Sequence, residues 1–173
     1  LDLVLLHTVG DFRRPQLGEF QLTVREIADH YNLAKIIRKY IETPSWTTPL
    51  SIAVFGPPGS GKSFAVKEVL NSVDPGRSSK PLTFNLAQFN STDQLTDAFH
   101  QIQDRALASS EVPLAIFDEF DSYFEGRRGW LKYFLAPMQD GLFRGKGGDY
   151  RVGRAIFLFS GGTSVTDRRI GAN

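Results

Sequence analysis

Three glycines and two prolines fall within the six residues Gly56–Gly61, between the apolar run LSIAVF and the segment SFAVKEVLNSV. Glycine loses more conformational freedom on folding than any other residue. A turn this rich in it, beside a buried strand, lowers stability unless the backbone itself has a task. Without Cβ atoms in the way, successive N–H groups turn inward around an anion. A helix that starts directly after the turn adds its positive N-terminal end. Lys62 and Ser63 then place a cation and a hydroxyl at the mouth of the turn. The stretch confines the chain to folds in which strand, tight turn and helix follow in succession.

The rest of the chain continues that alternation. Thr23 and Glu26 form a capping box opening VREIADHYNLAKIIRKYIE, with Ile27, Tyr31, Ala34, Ile37 and Ile41 at helical spacing. Pro44 and Pro49 stop that helix. LSIAVF reads as a first strand, LTFNLA as a second, VPLAIFDEF as a third and RAIFLFS as a fourth. STDQLTDAFHQIQDRALAS is a helix with a capping box from Ser91 to Gln94, and GWLKYFLAPMQDG a helix bent or ended near Pro137. LFRGKGGDYRVG reads as a hairpin turning at Gly147-Gly148. Near-continuous apolar strands are covered on both faces, and alternation with helices makes their sheet mostly parallel. The expected fold is α/β, a three-layer sandwich around a mostly parallel central sheet. Residues 1–48 are expected to form an N-terminal segment and helix leading into a core over 49–173.

Composition removes several function classes. Of 173 residues, 20 are Lys or Arg and 19 Asp or Glu, a net charge of +1 that gives no electrostatic case for nucleic acid or an anionic membrane. The pairs Arg13-Arg14, Arg127-Arg128 and Arg168-Arg169 read as solvated surface. Absence of cysteine excludes disulfides, thiolate chemistry and Cys-ligated zinc, and favours the cytoplasm. No apolar run approaches the ~18 residues of a membrane span. The opening LDLVLLHTVG has no basic lead-in and no small-residue cleavage site, so it does not read as a leader. A start at Leu1 without Met reads as a fragment.

Gly56, Pro57, Pro58, Gly59, Ser60, Gly61, Lys62 and Ser63 match the P-loop pattern with a strand before and a helix after, and Phe64 completes the expected nucleotide contacts. Lys62 reaches the β- and γ-phosphates there, and the Ser63 hydroxyl ligates Mg²⁺. Hydrolysis needs a second acidic element. LAIFDEFDSYF supplies Asp118 at the C-terminal end of an apolar strand, where parallel sheets place ligands, as the second magnesium ligand. Glu119 beside it is the candidate base that polarises the attacking water. The plain alternative is a pair of solvated acids capping the next helix. Asp121 reads as a surface cap. Asn85 interrupts LTFNLA, and either restrains Glu119 until a partner binds or is a satisfied strand-end amide.

This order of motifs resembles the AAA+ ATPases over roughly residues 17 to 165. The resemblance implies that Gly56–Ser63 is Walker A, that Asp118 and Glu119 are Walker B, and that Asn85 stands at the glutamate-switch position. GRAIFLFSGGTS is similar to the fourth strand of the Clp/HslU unfoldase branch. The γ-phosphate sensor then falls within Ser160–Thr163; Ser160 and Thr163 both qualify, with Thr163 preferred. A segment around Leu17–Ile27 is implied to enclose the adenine. Family members complete their site with a neighbour's arginine in a homo-oligomeric ring and carry a helical lid, and neither finger nor lid is visible in this chain. The implied activity is hydrolysis of Mg-ATP to ADP coupled to remodelling of an unknown protein partner. The alternatives are a nucleotide-dependent switch or assembly module with little turnover, and a P-loop phosphotransferase. No Asn-Lys-x-Asp guanine reader occurs, which favours ATP over GTP. Tyr123, Phe124 and Trp130 are either a substrate-gripping pore loop or core.

Overall fold

The computed structural model describes residues 3–7, 24–56, 62–124 and 127–162, with backbone alone at 3–7, 24–29, 62–63 and 127–128. Two interior strands show why the chain layers as it does. In β4 (Leu114–Asp118) the residues Leu114 and Ile116 face one side and Ala115 and Phe117 the other; in β9 (Ile156–Gly161) Ile156 and Leu158 share the first side, Phe157 and Phe159 the second. Side chains alternate across a strand, so this sheet presents an aliphatic face and an aromatic face.

The aliphatic face carries α1 (Val24–Glu42) through Leu33, Ile37 and Tyr40, and α2 (Lys62–Val73) through Val66, Val69 and Leu70. The aromatic face carries α3 (Thr92–Ala108) through Leu95, Phe99 and Ile102, and α4 (Leu131–Gln139) through Phe134 and Met138. Phe117 is central there, with ring centroids 4.7 Å from Phe134, 5.3 Å from Phe157 and 5.5 Å from Phe159. The result is the expected three-layer α/β sandwich.

The central sheet runs β1-β2-β9-β4-β3, with β1 at Leu3–His7, β2 at Leu50–Phe55 and β3 at Leu82–Asn85, and every pairing in it is parallel. β1 has no place in the sheet expected from sequence; LVLLH, four apolar residues and a histidine, is too short for periodicity to distinguish from other segments. Two small ribbons lie outside it: β5 (Tyr123–Phe124) with β6 (Arg127–Arg128), and β7 (Leu142–Gly145) with β8 (Gly148–Arg151).

Local differences from expectation have local causes. β3 ends two residues early, because the Asn85 Oδ1 accepts the Ala87 N–H at 3.0 Å and turns the chain into a 3₁₀ turn over Leu86–Gln88. Gly145 pairs with Gly148, so the hairpin turns at Lys146-Gly147, one residue earlier than read. Pro137 lies inside α4, and the helix ends two residues beyond it. α3 starts where expected: Gln94 Oε1 accepts the N–H of Ser91 at 3.3 Å and of Asn90 at 2.6 Å. Thr23 of the other capping box lies outside the described residues.

Candidate nucleotide-binding site

β2 delivers the chain to Phe55 and the buried Gly56 at the C-terminal edge of the sheet. Pro57, Pro58, Gly59, Ser60 and Gly61 lie outside the described residues. The backbone resumes as α2 at Lys62, followed by Ser63, and Phe64 on its first turn is 54% exposed. Strand, short connection and helix thus follow in the order the glycine-rich turn requires.

Register then fixes what faces that helix. Asn85 stands opposite Asp118, Asp118 opposite Ser160, and Ser160 opposite Val54. Alternation puts Asp118 on the side of Ile116 and Ser160 on the side of Leu158, both on the aliphatic face. Asn85 follows Phe84, which belongs to the aromatic cluster, so it too falls on the aliphatic side. The four positions make one row across the sheet end, on the face that carries α2. Asp118 and Ser160 are therefore both turned toward the layer in which Lys62 and Ser63 open a helix. Ser160 is 8% exposed, whereas Thr163, the other sensor candidate, lies outside the described residues together with Arg168 and Arg169.

Glu119 follows Asp118 with φ at +54°, the only non-glycine residue with positive φ among those described, and is exposed. Its carbonyl accepts the Ser122 N–H at 2.9 Å, and the next N–H, of Phe120, donates to Ser160 O at 3.4 Å. The carboxylate is thus free of the core at the end of the strand, beside the row containing Asp118. Asn85 sits opposite Asp118, one residue from Glu119, with its Oδ1 already engaged at Ala87.

Asp121 is half-buried rather than a surface cap. A Cβ at Gly161 would lie 3.2 Å from its Oδ1 and one at Gly162 3.8 Å from its Oδ2, so its carboxylate leans against the backbone leaving β9. Two aromatics from the pore-loop alternative belong to packing: Trp130 is fully buried, and Phe124 stacks on it with centroids 4.2 Å apart. Tyr123 is 71% exposed. The sequence places Phe120 at the end of a third strand, VPLAIFDEF, and Gly161 beside the sensor candidates, whereas β4 ends at Asp118 and the packing of Phe120 on Gly161 has no periodic signal. That packing becomes visible only through the turn at Glu119.

Donor chemistry fits magnesium as far as it is described. Asp118 offers hard carboxylate oxygen on the α2 face, and among the described residues no cluster of three His, Cys, Asp or Glu forms a closed metal cage. Magnesium characteristically takes one or two protein oxygens and completes its shell with phosphates and water. Among the described residues no helix is long and apolar enough to cross a membrane.

A parallel sheet with helices on both faces, a glycine-rich crossover into a helix, and an acid at the end of a neighbouring strand define a P-loop nucleoside triphosphatase fold. The model of the family described as "ATPase family associated with various cellular activities (AAA)" matches residues 52–143, and the chain belongs to that family. It is 26% identical over 139 residues to a protein of Rothia mucilaginosa (strain DY-18) described as an AAA ATPase forming ring-shaped complexes, covering 72% of this chain and 23% of that protein. The structure of the ORC2 protein of Aeropyrum pernix, in ADPNP and ADP complexes, superposes with a TM-score of 0.50 at 17% identity over 82% of this chain and 42% of that one. That likeness is one of fold. The chain spans about a quarter of the first relative's length and less than half of the second's.

Proposed function

We propose that this chain is the nucleotide-binding core of an ATPase that hydrolyses Mg-ATP to drive conformational work on a macromolecular partner, residues 49–173 forming the core and 1–48 leading into it. The observation that carries the reading is the row Val54–Ser160–Asp118–Asn85, which sets a carboxylate on the same face as the helix opening with Lys62-Ser63. In this reading Gly56, Pro57 and Pro58 shape the turn, the N–H groups of Gly59, Ser60 and Gly61 and the Lys62 ammonium hold the polyphosphate, and Phe64 lies against the nucleotide. Ser63 and Asp118 would hold magnesium, which supplies charge neutralisation on the phosphate oxygens. Glu119 takes the proton of the attacking water, and Ser160 or Thr163 senses the γ-phosphate. Asn85 restrains Glu119 in the resting state.

Family membership supports ATP over other triphosphates, and the ring-forming relative supports a homo-oligomer in which a neighbour contributes an arginine. GRAIFLFSGGTS supports an unfoldase-like branch, and the lack of cysteine a cytoplasmic setting. In the full chain Lys62→Ala is expected to abolish ATP binding, measured by calorimetry. Glu119→Gln is expected to bind ATP normally and lose on the order of a hundredfold or more in phosphate release. Wild-type turnover by Glu119→Gln would remove the assigned base; phosphate appearing on an acceptor instead of in solution would make the protein a phosphotransferase.

A further inference from the structure

We infer that Phe120 is a positioning residue for hydrolysis: its ring, wedged between Phe55 and Phe159 and against Gly161, holds Glu119 outside the core and ties it to the end of the phosphate-loop strand. The inference rests on the role proposed above for Glu119 and adds what keeps that carboxylate in place.

Period-two geometry shows why a wedge is needed. Asp118 occupies the aliphatic face, so a further extended residue would send Glu119 into the aromatic face beside Phe117. A φ of +54° at Glu119 breaks the alternation. Phe120, instead of the acid, enters the aromatic face, where its ring meets Phe55 edge-on at 5.5 Å and Phe159 edge-on at 5.7 Å. Such tilted aromatic pairs are the favoured arrangement. Its N–H donates to Ser160 O at 3.4 Å, and the Ser122 N–H closes the turn on Glu119 O at 2.9 Å.

Gly161 completes the seat. A Cβ there would stand 2.7 Å from Phe120 Cε1, closer than real Cβ contacts come, and rings at Phe55 and Phe159 leave the Phe120 ring flanked on two sides. The four residues belong to three separate pieces of chain. Phe55 immediately precedes Gly56, where the phosphate turn begins, and Phe120 immediately follows the base. One ring therefore connects the strand that grips phosphate to the residue that activates water, through the face of the sheet opposite the nucleotide.

The test is a double-mutant cycle in the full chain, reading ATP hydrolysis and, separately, ATP affinity. Phe120→Ala and Gly161→Ala are each expected to lower kcat on the order of tenfold to hundredfold, the loss typical of a misplaced reacting group, with ATP affinity within about twofold of wild type. Phe120→Leu, which keeps an apolar plug, is expected to recover part of the Phe120→Ala loss. Combining Phe120→Ala with Gly161→Ala is expected to cost no more than Phe120→Ala alone, because the added methyl enters space the ring has left. Should Phe120→Ala fail to fold, Gly161→Ala and Phe120→Leu probe the same seat without a large cavity. A wild-type kcat in Gly161→Ala and Phe120→Ala, equal losses in affinity and kcat, or strictly additive losses would overturn the inference while an inactive Glu119→Gln leaves the base assignment standing. Wild-type turnover in Glu119→Gln would overturn both.

Discussion

Glu119 occupies a backbone region that costs an L-residue roughly 1–2 kcal/mol relative to the right-handed one. A residue held there by two backbone hydrogen bonds and a wedged neighbour marks where packing overrides local preference. Glu111 shows the opposite economy, at the start of the chain entering β4. Its carboxylate accepts the N–H and hydroxyl of Ser78 at 3.0 and 2.9 Å and the Ser79 N–H at 3.0 Å. The Ser79 hydroxyl beside it, without hydrogen-bond geometry, and these donors hold the group down to about 2 from an ordinary 4.5. The folded state therefore binds its proton less readily than the unfolded state. The stabilisation is fully present above about 4.5 and is lost as pH falls toward about 2. Glu111→Gln is expected to be less stable than wild type at neutral pH, and the two denaturation midpoints to converge on acidification. A difference independent of pH would show that the carboxylate's charge is not what holds the Ser78-Ser79 turn.

Elements were legible where periodicity was long or glycine chemistry specific. The bounds of α1 and β2 coincide with the reading, and α2 begins one residue earlier, because apolar spacing and the flanking prolines and glycines act locally. β5 and β6, two residues each, carry too little pattern to be read, and Asn85 ends β3 through a side-chain bond that no apolar count contains. Of the site, the acid at the end of β4 was legible and the seat of Phe120 was not, since it joins three distant segments. Tyr40 is a long-range link of the same kind. Its single hydroxyl proton is shared between Thr48 O at 2.9 Å and Ala155 O at 3.1 Å, and its oxygen accepts the Ala155 N–H at 3.1 Å, fastening the end of α1 to the approach of β9. Burial raises its pKa, and Arg154 lies over its ring at 5.2 Å. Ala155 O keeps a second donor, the Leu50 N–H, whereas among the described residues the Ala155 N–H has a partner only in Tyr40. Tyr40→Phe is therefore expected to destabilise by about 1–3 kcal/mol, the cost of a buried donor left unmade, read from chemical denaturation. A change below about 0.5 kcal/mol would mean that water replaces the hydroxyl.

At the scale of the molecule, the proposed function asks the described residues for one half of what phosphoryl transfer requires. In the proposed reading the Asp118 row on the α2 face would serve the metal and the exposed Glu119 the water. The charge that spreads over the γ-phosphate oxygens in the transition state calls for an additional cation, worth about 10³–10⁵ in rate where an arginine supplies it. A ring-forming relative at 26% identity makes a second copy of the chain the natural donor in the proposed reading. That arrangement has a kinetic signature which no isolated site can imitate. Specific activity of the complete protein is expected to rise with protein concentration and then level off as assembly saturates, in parallel with the oligomer fraction seen by light scattering. Mixing wild type with Glu119→Gln sharpens the distinction. At a wild-type concentration below that of assembly, a site dependent on its neighbour but carrying its own base gains activity per wild-type molecule as mutant is added, because the mutant still donates its cation. A self-contained site gains none. Activity per molecule that stays constant through a dilution spanning the dissociation of the oligomer would show that each chain completes its own site, and would replace the ring motor by a self-contained nucleotide switch.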